Sequence, residues 1–403
     1  MRRELKEAII GMLTSDPPNP VWAERQSDLQ AASLIGRILH VSDLHVGNGT
    51  GAIDGWFGGF HELTGGHNHN AWNGLRKMCA FVPRDNRSFL IFSGDLTAAG
   101  RSEDYDDGEK KLAELLSNFV TNVHPFCIPG NHDSWIGSFW AVPNVLWPFA
   151  RRNDRLKQSF VGLPWKPARQ LSKEAAIRIV AVDSDAEIWN QTGSYSNRVR
   201  ARGRCVAQID DLRQLLDSES ASLTILVMHH SLSCQTDTLA LDDESVNLIK
   251  TLAEGQRREP IVALTGHLHN PGCEWLVKSQ EGAPRLVEFR CGTTLQERRR
   301  APPPEAPPPE LLGQLGSSFV GFVRRVWQRI RPTGTDPQWE EQDNVAFLHR
   351  IWRMGESLEW NVHLLCLDGD DFIEKSQDVY LQDPYHGKTP SGVSCWRSLS
   401  FKI

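Results

Sequence analysis

The sequence lacks several features that would each point to a particular class of protein. It has no run of roughly 18 or more apolar residues, so no segment is predicted to span a membrane. The N-terminal stretch MRRELKEAIIGMLTSDPP is too charged, and its apolar part too short, for a secretory signal, and it favours an amphipathic helix. The eight cysteines are scattered without a Cys-x-x-Cys pair, which argues against a disulfide framework and against a zinc ribbon. A reducing compartment fits best, and we expect a cytoplasmic protein.

An excess of positive charge is also missing. The chain has 44 Lys and Arg against 50 Asp and Glu, a formal net charge of -6. A nucleic-acid partner is therefore not favoured, because proteins that bind nucleic acid usually have a broad basic surface. With 403 residues, 40% of them hydrophobic, the chain is long enough to bury a sizeable core.

Short apolar runs alternate with amphipathic segments from residue 37 onward. The runs have strand length and no polar alternation, which is typical of strands buried on both faces. They are RILHVSD, SFLIFSGD, HPFCIPGN, AIRIVAVDSD, LTILVMHH, PIVALTGH and RLVEFRCGT. Segments such as DYDDGEKKLAELLSNFV lie between them and predict helices. The pattern indicates an α/β fold, in which sites form at the carboxyl ends of strands.

The domain organisation follows from composition. We expect an N-terminal helical extension at 1–36, one domain at 37–403 and an insertion at about 297–343, followed by C-terminal strands at about 344–403. The insertion opens with the Pro-rich ERRRAPPPEAPPPE, a stiff spacer. An amphipathic helix at 316–330 comes next, either packed on its own domain or touching a membrane surface or a protein partner.

Polar residues that can bind metal follow most of the predicted strands. In chain order they are Asp43, His45, Asp95, Asn131, His132, Asp133, His229, His230, His267 and His269. Carboxylate, imidazole and amide oxygen suit Mn, Fe, Zn or Co. About seven such ligands exceed what one tetrahedral ion needs, and they suit two ions roughly 3.5–4 Å apart that are bridged by one carboxylate and a hydroxide. Each cluster alone has an ordinary structural explanation, but five in strand-end positions do not.

The ordered blocks Asp-x-His, Gly-Asp, Gly-Asn-His-Asp, His and Gly-His-x-His resemble those of the calcineurin-like metallophosphoesterase family. The resemblance covers residues 37–296 and the strands after 343, and is strongest to the bacterial cyclic-nucleotide and general phosphodiesterase branch. It implies a sandwich of two mixed β-sheets flanked by helices, with a dinuclear metal site at the carboxyl ends of the strands.

The resemblance also implies roles for individual residues. Asp43, His45 and His269 would hold one ion, Asn131, His229 and His267 the other, with Asp95 bridging. The ions would be divalent or trivalent Mn, Fe or Zn. His132 would protonate the leaving oxygen or stabilise the phosphoryl group, with Asp133 orienting its imidazole. The fourth block departs from the common His-His-Pro-Pro, because Ser231 follows His230. His229 and His230 therefore remain alternative ligands, His229 being favoured by analogy with members that have paired histidines.

A long Gly-rich segment, VGNGTGAIDGWFGGFHELTGGHNHNAWNG, follows His45 and is either a wall of the substrate pocket or a disordered insertion. Its Gly-His-x-His at 66–69 has no apolar strand before it, so we expect substrate contact there and not metal binding. The candidate substrate-binding residues are His61, His67, His69, Arg198 and His230.

The expected function is metal-dependent hydrolysis of a phosphoester bond by a metal-bridging hydroxide, in a phosphodiesterase or phosphatase. A small-molecule phosphoester is the expected substrate, and the oligomeric state stays open. The alternatives are a nuclease of the DNA-repair type and a non-catalytic metal-binding scaffold that recruits a partner.

Overall fold

The apolar runs of the sequence form two β-sheets that pack face to face. The computed structural model describes residues 33–47, 68–98, 100–119, 126–135, 152–160, 177–190, 202–218, 221–233, 240–255, 259–269, 271–280, 282–295, 344–374 and 398–402. All seven runs predicted to be strands form strands, and the described residues after 343 include four more strands. The predicted architecture of two mixed sheets with flanking helices is confirmed.

The first sheet has seven strands in the order β11-β10-β9-β1-β2-β3, with β12 paired to β10. They are β1 Ser33–Val41, β2 Ser88–Phe92, β3 Phe126–Cys127, β9 Val345–Met354, β10 Ser357–Asp368, β11 Asp371–Glu374 and β12 Ser398–Lys402. Strands β1, β2 and β3 run parallel, while β9 is antiparallel to β1. The carboxyl ends of β1, β2 and β3 therefore meet at one edge of the sheet.

The second sheet has five strands in the order β4-β5-β6-β8-β7. They are β4 Ile177–Val182, β5 Leu223–Met228, β6 Ile261–Thr265, β7 Gly272–Lys278 and β8 Pro284–Arg290. The first four in this order are parallel, and only the edge strand β7 is antiparallel to its neighbour. The sheet therefore also gathers its strand ends on one side.

Helices cover the sheets. They are α1 His69–Ala80, α2 Ser102–Leu116, α3 Leu156–Ser159, α4 Ala186–Asn190, α5 Ile209–Ser218 and α6 Asp243–Glu254, with a 3-10 turn at Val206–Gln208. Helix α1 begins where the side chain of Asn68 accepts hydrogen bonds from the backbone N–H groups of Asn70 and Ala71, at 2.9 and 3.2 Å. An N-cap of this kind satisfies donors that have no partner inside the helix.

Alternate residues of β1 enter two different hydrophobic clusters. Ile38 belongs to the cluster that joins the two sheets, together with Phe289 of β8. Leu39 belongs to the cluster under α1 and α2, together with Leu75 and Tyr105. Successive side chains of a strand point to opposite faces, so β1 is buried on both. This burial explains why the strand shows no polar alternation in the sequence.

The structure shifts one expected boundary. Strand β1 begins at Ser33, so residues 33–36 are strand and not part of a helical extension; Leu34 and Ile35 are apolar and buried, and Leu34 pairs with Trp352 of β9. The expected helix in residues 1–32 and the insertion at 297–343 with its helix at 316–330 lie outside the described residues. None of the helices among the described residues combines the length and apolar character that crossing a membrane would need.

Candidate metal centre

Loops that follow five parallel strands bring the predicted ligands into one place. The loops follow β1, β2 and β3 of the first sheet and β5 and β6 of the second. Three groups of side chains have potential ligand atoms within 4.8 Å of one another: Asp43, His45 and His269; His45, Asp95 and His132; Asp95, His229 and His267. Asp95 belongs to two of these groups, one with His45 and one with His229 and His267, as a bridging ligand requires.

The first half is built around Asp43. Its Oδ1 lies 3.3 Å from Nε2 of His269 and 3.7 Å from Nε2 of His45. The two imidazole Nε2 atoms are 3.3 Å apart. The other carboxylate oxygen of Asp43 accepts a hydrogen bond from the backbone N–H of His267 at 3.0 Å. That bond ties the loop after β1 to the loop after β6 and leaves Oδ1 directed at the histidines.

The second half is built around His229. Its Nε2 lies 3.1 Å from Nδ1 of His267 and 3.2 Å from Oδ1 of Asn131. Nδ1 of His229 lies 2.8 Å from the carbonyl oxygen of Ser93. Because a carbonyl oxygen only accepts, Nδ1 carries the hydrogen, and Nε2 of the neutral ring presents its lone pair to the other two ligand atoms.

Asp95 lies between the two halves. Its Oδ1 accepts a hydrogen bond from the backbone N–H of His132 at 2.9 Å, which fixes the carboxylate. Its Oδ2 is 3.6 Å from Nε2 of His45 and 3.4 Å from Nε2 of His229. A Cβ at Gly94 would collide with the ring of His229, and Gly94 has a φ of 110°, so glycine is needed next to the shared carboxylate.

The spacing of these donor atoms fits metal coordination. Metal–ligand bonds of about 2.0–2.2 Å place neighbouring ligand atoms roughly 3.0–3.5 Å apart in tetrahedral or octahedral geometry. The shortest donor pairs in both halves lie 3.1–3.3 Å apart. Oxygen and nitrogen donors without thiolate suit Mn, Fe or Zn.

The backbone of the ligand loops is unusual. Among the described residues, the non-glycine residues with positive φ are all candidate ligands: Asp43, His45, Asp95, His267 and His269, with φ between 44° and 72°. Such a conformation costs free energy in residues that carry a Cβ and persists where the surroundings impose it. Functional sites are where backbone strain of this kind concentrates.

The buried carboxylates attract positive charge. Burial would raise the pKa of Asp43, but hydrogen bonds with His269 and His45 outweigh it and hold the pKa well below its usual range. Burial likewise opposes ionisation of Asp95, yet the neighbouring His229 and His132 lower its pKa. Burial lowers the pKa of His229, but the charge of Asp95 reverses this and raises it to about 10. A metal ion would supply the same positive charge and displace the proton from His229.

The structure distinguishes the two histidines of the fourth block. His229 faces Asn131 and Asp95, as described above. Nδ1 of His230 instead lies 2.8 Å from the hydroxyl of Ser184, which also accepts a hydrogen bond from the backbone N–H of His230 at 3.2 Å. The His230 ring packs 4.5 Å from the ring of His267. This geometry favours His229 as the ligand and gives His230 a supporting position behind it.

His132 lies between the two halves of the site, near His45 and Asp95. Its distance to Asp95 is longer than those between the other donor atoms. Its Nδ1 lies 2.8 Å from the carbonyl oxygen of Ala98, so Nδ1 carries the hydrogen and Nε2 faces the site, 4.0 Å from Oδ2 of Asp95. Trp135 packs against the ring, with centroids 4.0 Å apart. Burial lowers the pKa of His132 to about 4.

Asp133 does not orient His132, and the expected role is corrected. Its Oδ2 accepts hydrogen bonds from the N–H groups of Leu96 and Gly130, at 3.0 and 2.9 Å. Its Oδ1 accepts from the N–H and the hydroxyl of Thr97, at 2.8 and 3.0 Å. The carboxylate is thus fully engaged in joining the loop after β2 to the loop after β3, and the carbonyl of Ala98 takes the orienting role.

The remaining candidates are the expected substrate-binding residues His61, His67, His69 and Arg198. His61, His67 and Arg198 lie outside the described residues. His69 is the exposed first residue of α1 and belongs to none of the described groups of metal-binding side chains. Sequence reasoning missed Ser184 behind His230, although the run AIRIVAVDSD ends in polar residues just as the ligand-bearing strands do.

The sequence profile of the calcineurin-like phosphoesterase family matches residues 36–281, more than half of the chain. The chain belongs to this family. No curated protein sequence matches this phosphoesterase significantly. Nineteen chains of solved structures do. One is described as "Structure of PhoD": it is 10% identical, with a TM-score of 0.41, and the match covers 85% of this chain and 71% of that one.

Proposed function

We propose that this calcineurin-like phosphoesterase hydrolyses a small-molecule phosphoester, with phosphodiesters as the favoured class, and that it uses two metal ions. Family membership supports metal-dependent phosphoester hydrolysis in general. The observation that carries the proposal is the position of Asp95, whose Oδ2 lies 3.6 Å from Nε2 of His45 and 3.4 Å from Nε2 of His229. One carboxylate oxygen placed between two groups of ligands is the arrangement that a dinuclear centre requires.

The grouping of the donor atoms supports a division of the ligands between the two ions. Asp43, His45 and His269 would hold the first ion, Asn131, His229 and His267 the second, with Asp95 shared. When bound, the two ions supply an activated water and neutralise negative charge on the phosphoryl oxygens. Asn131 contributes a neutral oxygen, so the second ion keeps more of its positive charge than the first.

His132 is the proposed proton donor to the leaving oxygen. The carbonyl of Ala98 holds Nδ1–H, so a second proton can reside only on Nε2, on the side of Asp95. Burial gives His132 a pKa of about 4, and a bound phosphate would raise the pKa because its negative charge favours the protonated ring. The Trp135 ring restricts rotation of the imidazole.

Substrate would approach from the side of His132 and His269. Their side chains are 11% and 14% exposed, whereas those of Asp43, His45 and His229 are fully buried. The scissile bond would therefore meet the proton donor and the ligand of the first ion at the mouth of the site.

The test is a substrate panel with metal-depleted protein reconstituted with Mn, Fe or Zn. The panel contains model phosphomonoesters, small phosphodiesters and linear DNA. We expect turnover of small phosphodiesters that requires added metal. Inactivity on every phosphoester with every metal would refute the enzyme assignment, and preferred cleavage of DNA would favour the nuclease alternative.

Asp95→Asn tests the shared ligand. The amide offers a neutral oxygen in place of an anion, so activity should fall by more than the roughly 10–100-fold that loss of an outer-shell partner causes. The bound metal should fall below two equivalents in elemental analysis. Asp210→Asn is the matched control, since Asp210 lies on the surface of α5 with an 81% exposed side chain. An Asp95→Asn protein that keeps both ions and wild-type turnover would contradict the site.

A further inference from the structure

Strand β8 carries two charged side chains in a buried setting. Glu288 is 1% exposed and Arg290 is 7% exposed, within the strand sequence PRLVEFR. Burying charges is costly unless they are paired or hydrogen-bonded. Both residues also lie beyond residue 281, where the match to the family profile ends. The matched part of the family profile therefore does not include them.

One oxygen of Glu288 joins the loop after β5 to the end of β6, the two segments that lead to His229 and His267. Its Oε1 accepts a hydrogen bond from the backbone N–H of Leu232 at 2.9 Å and another from the hydroxyl of Thr265 at 2.6 Å. Leu232 comes three residues after His229, and Thr265 comes two residues before His267. The distance between these two ligands is therefore set partly by a carboxylate that touches neither imidazole.

Arg290 holds the same loop from the same strand. Its Nη1 donates to the hydroxyls of Ser231 and Ser233, at 3.3 and 2.8 Å. In the related pattern His-His-Pro-Pro, proline stands where Ser231 stands here, and proline restricts the backbone by itself. The serines lack that restriction, so their hydrogen bonds with Arg290 replace it.

We propose that Glu288 is a positioning residue for the second metal ion. Arg290 supports it by holding the loop after β5, which carries His229. Without Glu288, the Leu232 N–H and the Thr265 hydroxyl lose their buried acceptor, and the loops carrying His229 and His267 can shift apart. The first ion keeps Asp43, His45 and Asp95 from loops of the other sheet and takes only His269 from the loop after β6. The inference rests on the proposed function only in assuming that this site binds two ions.

The test measures metal binding directly, without turnover. Metal-depleted protein is titrated with Mn²⁺ in a calorimeter, and the bound metal is counted by elemental analysis after desalting. Glu288→Ala should weaken the second binding step about 10–100-fold, the usual effect of removing an outer-shell partner. The first step, which takes only His269 from the loop after β6, should weaken less. Glu288→Gln should stay near wild type, because its amide oxygen can accept both hydrogen bonds.

Two further variants separate positioning from loss of stability. Thr265→Val removes only the hydroxyl contact and should weaken the second step less than Glu288→Ala does. Leu286→Ala, on the same strand and fully buried, removes apolar packing without touching the polar contacts. It should lower the unfolding temperature while two equivalents of metal still bind with wild-type affinity.

The outcomes distinguish failure of the positioning role from failure of the proposed function. Wild-type affinity for both ions in Glu288→Ala would overturn the positioning role and leave the dinuclear site standing. If Glu288→Ala does not fold, Thr265→Val decides, and an unchanged second step there overturns the proposal. A second step weakened equally by Leu286→Ala would also overturn it, since general destabilisation would then suffice. Failure of the wild-type protein to take up two ions would overturn both this inference and the proposed function.

Discussion

Replacing Asp133 by asparagine tests whether this residue frames the site or takes part in the reaction. The carboxylate accepts four hydrogen bonds, two on each oxygen, from Leu96, Gly130 and Thr97. An asparagine must direct its NH₂ at one of these pairs of donors. The better choice faces Thr97, whose hydroxyl can turn and accept. The backbone N–H of Thr97 then faces the NH₂ of the asparagine and has no acceptor there.

The magnitude follows from these contacts. A buried N–H without an acceptor costs about 1–3 kcal/mol. The hydrogen bonds from Leu96 and Gly130 change from charged to neutral, which weakens each by about 1 kcal/mol. Asp133→Asn should therefore lower the free energy of unfolding by about 3–5 kcal/mol, a large part of the roughly 5–15 kcal/mol typical of a folded protein.

The assay is urea unfolding of metal-depleted protein followed by tryptophan fluorescence. It is run at pH 7.5, because burial, followed by the charge of Asp95, raises the pKa of Asp133 to about 6 and the carboxylate must be ionised. Thr97→Val serves as the smaller step, removing one of the four hydrogen bonds and costing about 1 kcal/mol. A wild-type urea midpoint in Asp133→Asn, combined with a reduced kcat, would refute the framing role and restore a catalytic one.

Three further predictions follow from contacts in and around the site. His132→Gln should lower kcat about 10²–10⁴-fold, the usual worth of a general acid, while both metal ions stay bound in elemental analysis. Burial holds the pKa of His349 well below its usual value, and its Nδ1 accepts a hydrogen bond from Trp360 at 3.0 Å. Below about pH 6.5 this histidine is protonated in the unfolded chain and stays neutral in the folded protein. The free energy of unfolding should therefore fall with pH, by about 1.4 kcal/mol per pH unit for this residue. His349→Gln keeps an acceptor and should reduce that slope in urea unfolding between pH 4.5 and 6.5. Gly94→Ala should weaken metal binding, because its Cβ collides with His229 at a backbone φ of 110°.

Each of these predictions has an outcome that would count against it. Loss of metal in His132→Gln would make His132 a ligand. A pH slope in His349→Gln identical to that of the wild type would show that other groups set the acid sensitivity. Wild-type metal affinity in Gly94→Ala would mean that the loop adapts around the added carbon.

The strands and most of the site could be predicted because their signals are local. Runs such as SFLIFSGD and PIVALTGH show both the buried strand and the ligand that follows it. Parallel strands gather their carboxyl ends, so residues that follow such strands, Asp95 and His267 among them, were expected to lie close together. Strand β7 escaped prediction because GCEWLVK is only half-buried at an edge, and it lacks a continuous apolar run.

What could not be predicted depends on contacts between distant residues or on backbone atoms. The acceptor that orients His132 is the carbonyl of Ala98, and every residue has a carbonyl. The resemblance gave Asp133 the role of orienting His132, but its carboxylate accepts hydrogen bonds from Leu96, Thr97 and Gly130. The contact of Glu288 with Leu232 spans 56 residues and needs the register of the second sheet to be known.

Each candidate ion would take its ligands from both sheets. The first ion would draw Asp43, His45 and Asp95 from the seven-stranded sheet and His269 from the five-stranded one, and the second ion is likewise divided. Neither ion can stay fully ligated if the layers part. A ligand that binds only the folded state at 100 times its Kd stabilises that state by about 2.7 kcal/mol, a factor of about 100 in the open population. Where cellular proteases act on the open form, metal starvation would shorten the lifetime of this protein as well as stop its chemistry.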